Sequence, residues 1–392
     1  MTIPIVFYYH RLNCYSFNAL AGALDADLSL SALPVDIALD AEQLHTLVAS
    51  QVSRHNRAAA ALSIMTCQFP EMHAVIRRLR LDFGPRVAIL AGGPHTTARP
   101  HDVLAAGADV VFRGEAEVNF PEVIRRMAAG LDFENVQTPS QRVNLDSFCS
   151  FSPGKGMFGP IEITRGCAFA CSYCQTSHIF GVGLRHRSIG NIVRQAEALR
   201  SVNRKVVRLL SPNAFSYGSS DGCQLNCGAI RDLLSALRST LPPKSKIIFA
   251  HFPSEVRPEH VTPETLDLLK EFADNDEIVL GAQSGSPRML DACHRSHDVE
   301  SVLKAVTLAR KRGYKVIVDF IFGLPGETAA DLRQTLAVME DLVRMGARIH
   351  PHIFAPLPQT AFSDQPPGDL SPEAQDALRK FRNRRGIYGF PL

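Results

Sequence analysis

The chain has no apolar run approaching the roughly 20 residues of a membrane span, no internal repeat and no low-complexity tract. Its first residues, Met-Thr-Ile-Pro-Ile-Val-Phe-Tyr-Tyr-His, lack the basic region, long apolar stretch and small-residue cleavage site of an export signal. Neither sign of charge is in excess: a net charge of +3 gives no argument for a nucleic-acid partner. No GxGxxG follows the first apolar run, which speaks against an ordinary dinucleotide site. A cytoplasmic protein with no membrane and no nucleic-acid partner is expected. Hydrophobic content of 45% and charged content of 21% describe a globular chain, and 392 residues exceed the usual size of one core. Two domains follow as the default.

Nine cysteines are an odd number, and three of them fall within eight residues, in Cys167-Ala-Phe-Ala-Cys171-Ser-Tyr-Cys174. That bunching suits metal chemistry in a reducing compartment better than a disulfide framework. Thiolates are soft ligands that favour iron-sulfur clusters, zinc or Cu(I), and a cubane normally takes four of them. Three leave one iron open, which by analogy with catalytic zinc invites a substrate or cosubstrate onto the metal. Zinc is the alternative, with His178 as the nearest fourth ligand. Three buried cysteines acting as small hydrophobes are the bland reading.

Before the cysteines, apolar runs at residues 3–9, 59–65, 86–91 and 108–112 alternate with helical patterns at 40–52, 69–81 and 120–127. Alternation of this kind predicts a doubly wound α/β domain with a parallel sheet. Ligands of such sheets sit beyond the carboxyl ends of the strands, here the turns at Thr66, at Gly92-Gly93-Pro94-His95 and at Arg113-Gly114-Glu115. The glycine pair is read as permitting close approach of a ligand to the backbone. After the cysteines, strands at 206–210, 247–250, 278–281, 316–322 and 349–354 alternate with helices at 189–199, 230–237, 263–272, 299–312 and 330–345. With the strand before the cysteine loop this predicts a partial (β/α)6 barrel of the TIM type, whose chemistry lies at the strand ends. The expected domains are 1–135, a linker 136–157, a barrel 158–358 and an extension 359–392.

The Cys167/Cys171/Cys174 loop, Gln283-Ser-Gly-Ser286 and Gly323-Leu-Pro-Gly-Glu-Thr328 resemble the radical S-adenosylmethionine (radical SAM) superfamily. The first domain resembles the cobalamin-binding, Rossmann-like domain that precedes the barrel in one branch. Ser211-Pro-Asn-Ala-Phe-Ser-Tyr-Gly218 and Phe252-Pro-Ser-Glu-Val-Arg-Pro258 are similar to a little-characterised family of that branch. The resemblance implies a [4Fe-4S] cluster on Cys167, Cys171 and Cys174, with S-adenosylmethionine (SAM) chelating the open iron and cleaved to a 5′-deoxyadenosyl radical. It further implies SAM contacts at Tyr173, Ser211, Asn213, Gln283 and Ser284, and cobalamin near Thr66, Gly92, Gly93 and Glu115. No DxHxxG histidine is present, so any cobalamin is bound without that lower ligand. Methyl transfer from cobalamin to an unactivated carbon of an unknown, small-molecule substrate is the implied reaction. The electron donor would be of flavodoxin or ferredoxin type.

Several alternatives remain open. Methylthiotransferases share the Gln-Ser-Gly-Ser turn but bind a second cluster through three cysteines of the first domain. This chain offers Cys14 and Cys67 there, with Pro94 in the third place, and too few residues follow Phe354 for the RNA-binding domain those enzymes carry. A cobalamin-free radical SAM enzyme is a second possibility, and an electron carrier or redox sensor a third. Cys223 and Cys227, with Cys293, are candidate ligands of an auxiliary cluster. His294, Arg295 and His297 bring positive charge to a strand end, and His350 and His352 accompany the last strand on the expected substrate side.

Overall fold

In the computed structural model, which describes residues 3–389, the first 137 residues contribute six strands. They are β1 (Ile5–Tyr8), β2 (Val35–Ala38), β3 (Ala58–Ser63), β4 (Val87–Gly92), β5 (Val110–Phe112) and β6 (Val136–Gln137). All pair in parallel, in the order β2-β1-β3-β4-β5-β6. Successive strand residues point to opposite faces, and both faces are apolar here. Val6, Tyr8, Ala60 and Leu62 enter one core with Met72 and Ile76, whereas Ile5, Phe7, Ala59 and Ala61 enter another with Phe17 and Phe120. A sheet buried on both sides needs helices on both, which makes the unit doubly wound. Helix Phe69–Phe83 buries Met72, Val75, Ile76 and Leu79, the 3.6-residue stripe visible in its sequence.

The chain divides into two compact units, Met1–Pro160 and Ile161–Leu392. Residues 136–157, expected as a linker, instead pack on the first unit. Met157 joins its core, and Asp25 accepts hydrogen bonds from Ser152 Oγ at 2.5 Å and Lys155 Nζ at 2.8 Å.

The second unit begins with β7 (Ile161–Glu162) and a small antiparallel hairpin of β8 (Thr164–Arg165) with β9 (Arg185–His186). Then follow β10 (Val206–Leu210), β11 (Lys246–Ile248), β12 (Glu277–Gln283), β13 (Lys315–Phe322) and β14 (Arg348–Ile353). Parallel sets β7-β10-β11 and β12-β13-β14 are joined by a parallel bridge between Val256 and Leu280. Six parallel strands in chain order, with helices between them, form the partial barrel. Ser188, Asn226, Thr262, Asp298 and Thr328 each cap the following helix through a side-chain oxygen, which fixes where the helix starts. Beyond β14 the chain turns back: Ile349 N donates to Gly386 O and Tyr388 N to Ile349 O, covering the last strand's open edge. No helix among the described residues is long and apolar enough to cross a membrane.

Candidate functional site

The cysteine loop is shaped by its ends. Gly166 has φ +95, and a Cβ there would lie 2.5 Å from the carbonyl oxygen of Gly183, so the turn out of β8 requires glycine. Further on, Ser172 N donates to Cys293 O, Ser172 Oγ to Ala292 O and Cys174 N to Cys171 O. These bonds hold all three thiols on the wall of one cavity of about 480 Å³ at the carboxyl ends of the barrel strands.

The donor set fits a cluster better than one ion. Sulfurs around a single tetrahedral zinc stand roughly 3.8 Å apart. Among the described residues the only group of three or more His, Cys, Asp or Glu with all donor atoms within 4.8 Å of one another is Asp319, His350 and His352, so the three thiols do not all lie that close together. His178, the expected zinc alternative, is exposed and off the cavity. Burial pushes the Cys167 and Cys174 thiols up, so their thiolates need cationic charge in the cavity.

Part of that charge comes from Arg295, which is 6% exposed. Its Nη1 lies 3.5 Å from Cys171 Sγ and 3.2 Å from Tyr173 OH, and Nη2 donates to Gly281 O. The sequence suggested only a charge near a strand end. Arg257 adds a second buried cation, its guanidinium 3.5 Å from the Phe169 ring centroid and donating to Arg295 O.

Tyr173, Ser211, Asn213 and Gln283 all reach the cavity wall. Two of them already have protein partners. Ser211 Oγ donates to Asn213 O, while Asn213 pairs through Nδ2 with His260 Nδ1 and accepts from Arg257 N. Ser284 is not on the wall: its hydroxyl lies 3.3 Å from Thr335 Oγ1 and accepts from Ser286 N. Gln283 has φ +72 at a register shift in β12, an outlier of the kind that re-aims side chains at sites. Gln283 Nε2, Arg295 Nη2 and Glu255 Oε2 converge within 3.2 Å of where a Cβ on Gly281 would be.

Sequence reasoning passed over Asp319, although an acid inside the apolar run Lys-Val-Ile-Val-Asp-Phe-Ile-Phe is a legible signal. It is 1% exposed and lines the cavity with Glu255 and His352. Burial opposes its ionisation, but the hydrogen bond with His350 and the nearby His352 imidazole outweigh that and hold its carboxyl below the usual range. Glu255 goes the other way, pushed up by burial and then by the Asp319 charge. Of the candidate auxiliary ligands, Cys223 is exposed, Cys227 lies beside Glu264 and Cys293 lies in an apolar cluster near Cys171.

In the first unit, the strand order reverses between β1 and β3, and the turns beyond that point carry polar atoms without partners. Asn13 Oδ1, Ser63 Oγ, Thr66 Oγ1, Gln68 Oε1 and both His95 ring nitrogens are buried with no hydrogen bond. Buried polar atoms are rarely left so, and here they gather where flavodoxin-like sheets hold their ligands. The set suits a large ligand rimmed with amides, as cobalamin is. The absence of a side chain at Gly93 has a use within the fold. A Cβ on Gly93 would lie 2.6 Å from Ile64 N, so the missing side chain admits β3's own exit turn. Glu115 is also occupied, accepting from Val143 N at 2.7 Å.

Residues 161–339 match the family model described as Radical SAM superfamily, and residues 15–124 match the B12 binding domain model. An uncharacterized protein of Methanopyrus kandleri is 27% identical, over 74% of this chain and 64% of its own length. The tRNA-2-methylthio-N(6)-dimethylallyladenosine synthase of Geobacter metallireducens is 28% identical, over 64% of this chain and 56% of its own. The chain thus spans less than two thirds of either relative. Among solved structures, the radical S-adenosylmethionine methyltransferase TsrM from Kitasatospora setae, with cobalamin and a [4Fe-4S] cluster bound, superposes with a TM-score of 0.68. That match covers 93% of this chain and 74% of the other at 15% identity, a likeness of fold.

Proposed function

We propose that this chain, whose residues 161–339 match the radical SAM superfamily model and whose residues 15–124 match the B12 binding domain model, is a cobalamin-dependent radical SAM methyltransferase acting on an unactivated carbon. The observation that carries this reading is three thiols, and no other cysteine, lining one cavity, on a chain that also holds unpartnered polar atoms at a switch point. Cys167, Cys171 and Cys174 would ligate a [4Fe-4S] cluster, and Tyr173 and Gln283 would border SAM. Thr66, with His95 and Gln68, would meet cobalamin. When bound, the cluster supplies an electron for SAM cleavage and cobalamin carries the methyl group. The chain's own residues do the rest: Arg295 balances thiolate charge, the strand-end turns bound the cavity, and Glu255 offers a protonated carboxyl to a substrate. The electron would come from a flavodoxin or ferredoxin type of donor in a reducing, cytoplasmic compartment.

Methylthio transfer to RNA is the second reading, favoured by the name of the Geobacter metallireducens relative. Against it, Pro94 occupies the place of a third first-domain cysteine, and Cys67 is exposed. Anaerobic purification with cobalamin supplied, followed by iron and cobalamin analysis and by assay of 5′-deoxyadenosine after reduction with SAM, tests the proposal. About four irons, bound cobalamin and 5′-deoxyadenosine are expected. Iron-loaded protein that takes no cobalamin would overturn methyl transfer and leave the radical reading standing.

A further inference from the structure

The geometry points to a second metal site in the barrel: Asp319, His350 and His352 form a two-histidine, one-carboxylate set for a divalent first-row cation. Three observations place the ligands. Asp319 lies directly across from His350 in the β13–β14 ladder, and His350 and His352 are two residues apart, so all three share one sheet face. Asp319 Oδ1 is 2.8 Å from His350 Nδ1 and 3.6 Å from His352 Nε2. Ligands on one ion at bonds of roughly 2.1 Å stand about 3.0 to 3.4 Å apart, so both separations lie within a small adjustment of that geometry. The second carboxylate oxygen, Oδ2, is buried without a hydrogen-bond partner on a residue only 1% exposed.

The chemistry of the donors narrows the cation. Two imidazoles and one carboxylate, with no thiolate, suit zinc, ferrous iron, cobalt or manganese rather than a cluster or Cu(I). Three protein ligands leave open positions, and Asp319 and His352 both line the cavity that the cysteine loop closes from another side. The open positions would therefore take an oxygen or nitrogen donor of a bound substrate, and the site's net positive charge favours an oxyanion such as a carboxylate. This site is separate from the cysteine loop and does not depend on the methyl-transfer reading.

Equilibrium dialysis of the full, iron-loaded chain against zinc, with zinc and iron both counted, tests it. One zinc per chain beyond an unchanged iron content is expected. His352→Gln, at a side chain 43% exposed, keeps the Asp319–His350 hydrogen bond and should fold normally while weakening zinc binding at least tenfold. Asp319→Asn should weaken it as much. Replacing Cys167, Cys171 and Cys174 with alanine should remove iron and leave the zinc. The inference is overturned if wild-type protein retains no zinc, if His352→Gln retains it equally, or if the zinc disappears with the three cysteines.

Discussion

Replacing Arg295 with glutamine is the sharpest probe of the cysteine loop. The guanidinium is 3.5 Å from Cys171 Sγ and buried, so solvent does little to screen it. An electron entering a cluster there spreads over the cubane, whose middle lies roughly 7 Å from the guanidinium if Cys171 is a ligand. At an effective dielectric of about 20, a unit charge at that distance contributes ~2 kcal/mol, or ~100 mV for one electron. A cation favours the reduced, more negative state, so its loss should lower the midpoint potential by ~50–100 mV. Glutamine retains a donor for Gly281 O, and the main-chain carbonyl that accepts from Arg257 is unaffected. The assay is a potentiometric titration followed by electron paramagnetic resonance, with iron counted in both proteins. An unchanged potential in a variant that keeps its iron would refute the placement of this charge beside the cluster.

Cys174→Ala should reduce bound iron from about four atoms per chain to well under one, measured on anaerobically prepared protein. Gly93→Ala should destabilise the first unit by about 2–4 kcal/mol in denaturant unfolding and impair cobalamin retention. It combines φ +96, a region nearly restricted to glycine, with a Cβ 2.6 Å from Ile64 N. Asp331→Asn should cost about 1–2 kcal/mol at neutral pH, because the carboxylate accepts from Arg288, Ser286 and Thr328. Hydrogen bonding from Arg288, foremost, holds the Asp331 carboxyl well below the usual range. Its stabilisation is therefore complete above about pH 4 and is lost as pH falls through the depressed folded value, so the variant should show a flatter acid limb in a melting-temperature profile.

Strands and helices of the barrel were legible because each carries its own signal. Pro263–Phe272 begins at a threonine cap and ends where the apolar stripe ends, and β13 after Lys315 is a β-branched and aromatic run apart from one aspartate. The elements that escaped lack such signals. Helix Cys14–Ala26 mixes Asn18 and Gly22 into its buried face, and β2 has two residues partly buried and one exposed, as an edge strand does. Residues 136–157 are rich in turn formers and read as a linker, yet contacts to Asp25 and Glu115, more than a hundred and nearly thirty residues away, tie them down. Local composition carries no record of such long-range bonds.

The site divides along the same physical line. Three cysteines within eight residues announce themselves because their ligand spacing is local, whereas Arg295 and Asp319 acquire meaning only through partners brought from other strands. The glycine pair shows the converse hazard. A Gly-Gly turn after a strand is equally compatible with a ligand and with the chain's own backbone at the missing Cβ, and here Ile64 of the neighbouring exit turn takes the space. What marks the first unit as a binding site is instead a deficit, buried hydroxyl, amide and imidazole atoms without partners at the β1/β3 reversal. A deficit of partners exists only once the fold has removed water from those atoms, so it could be found in the structure and not before.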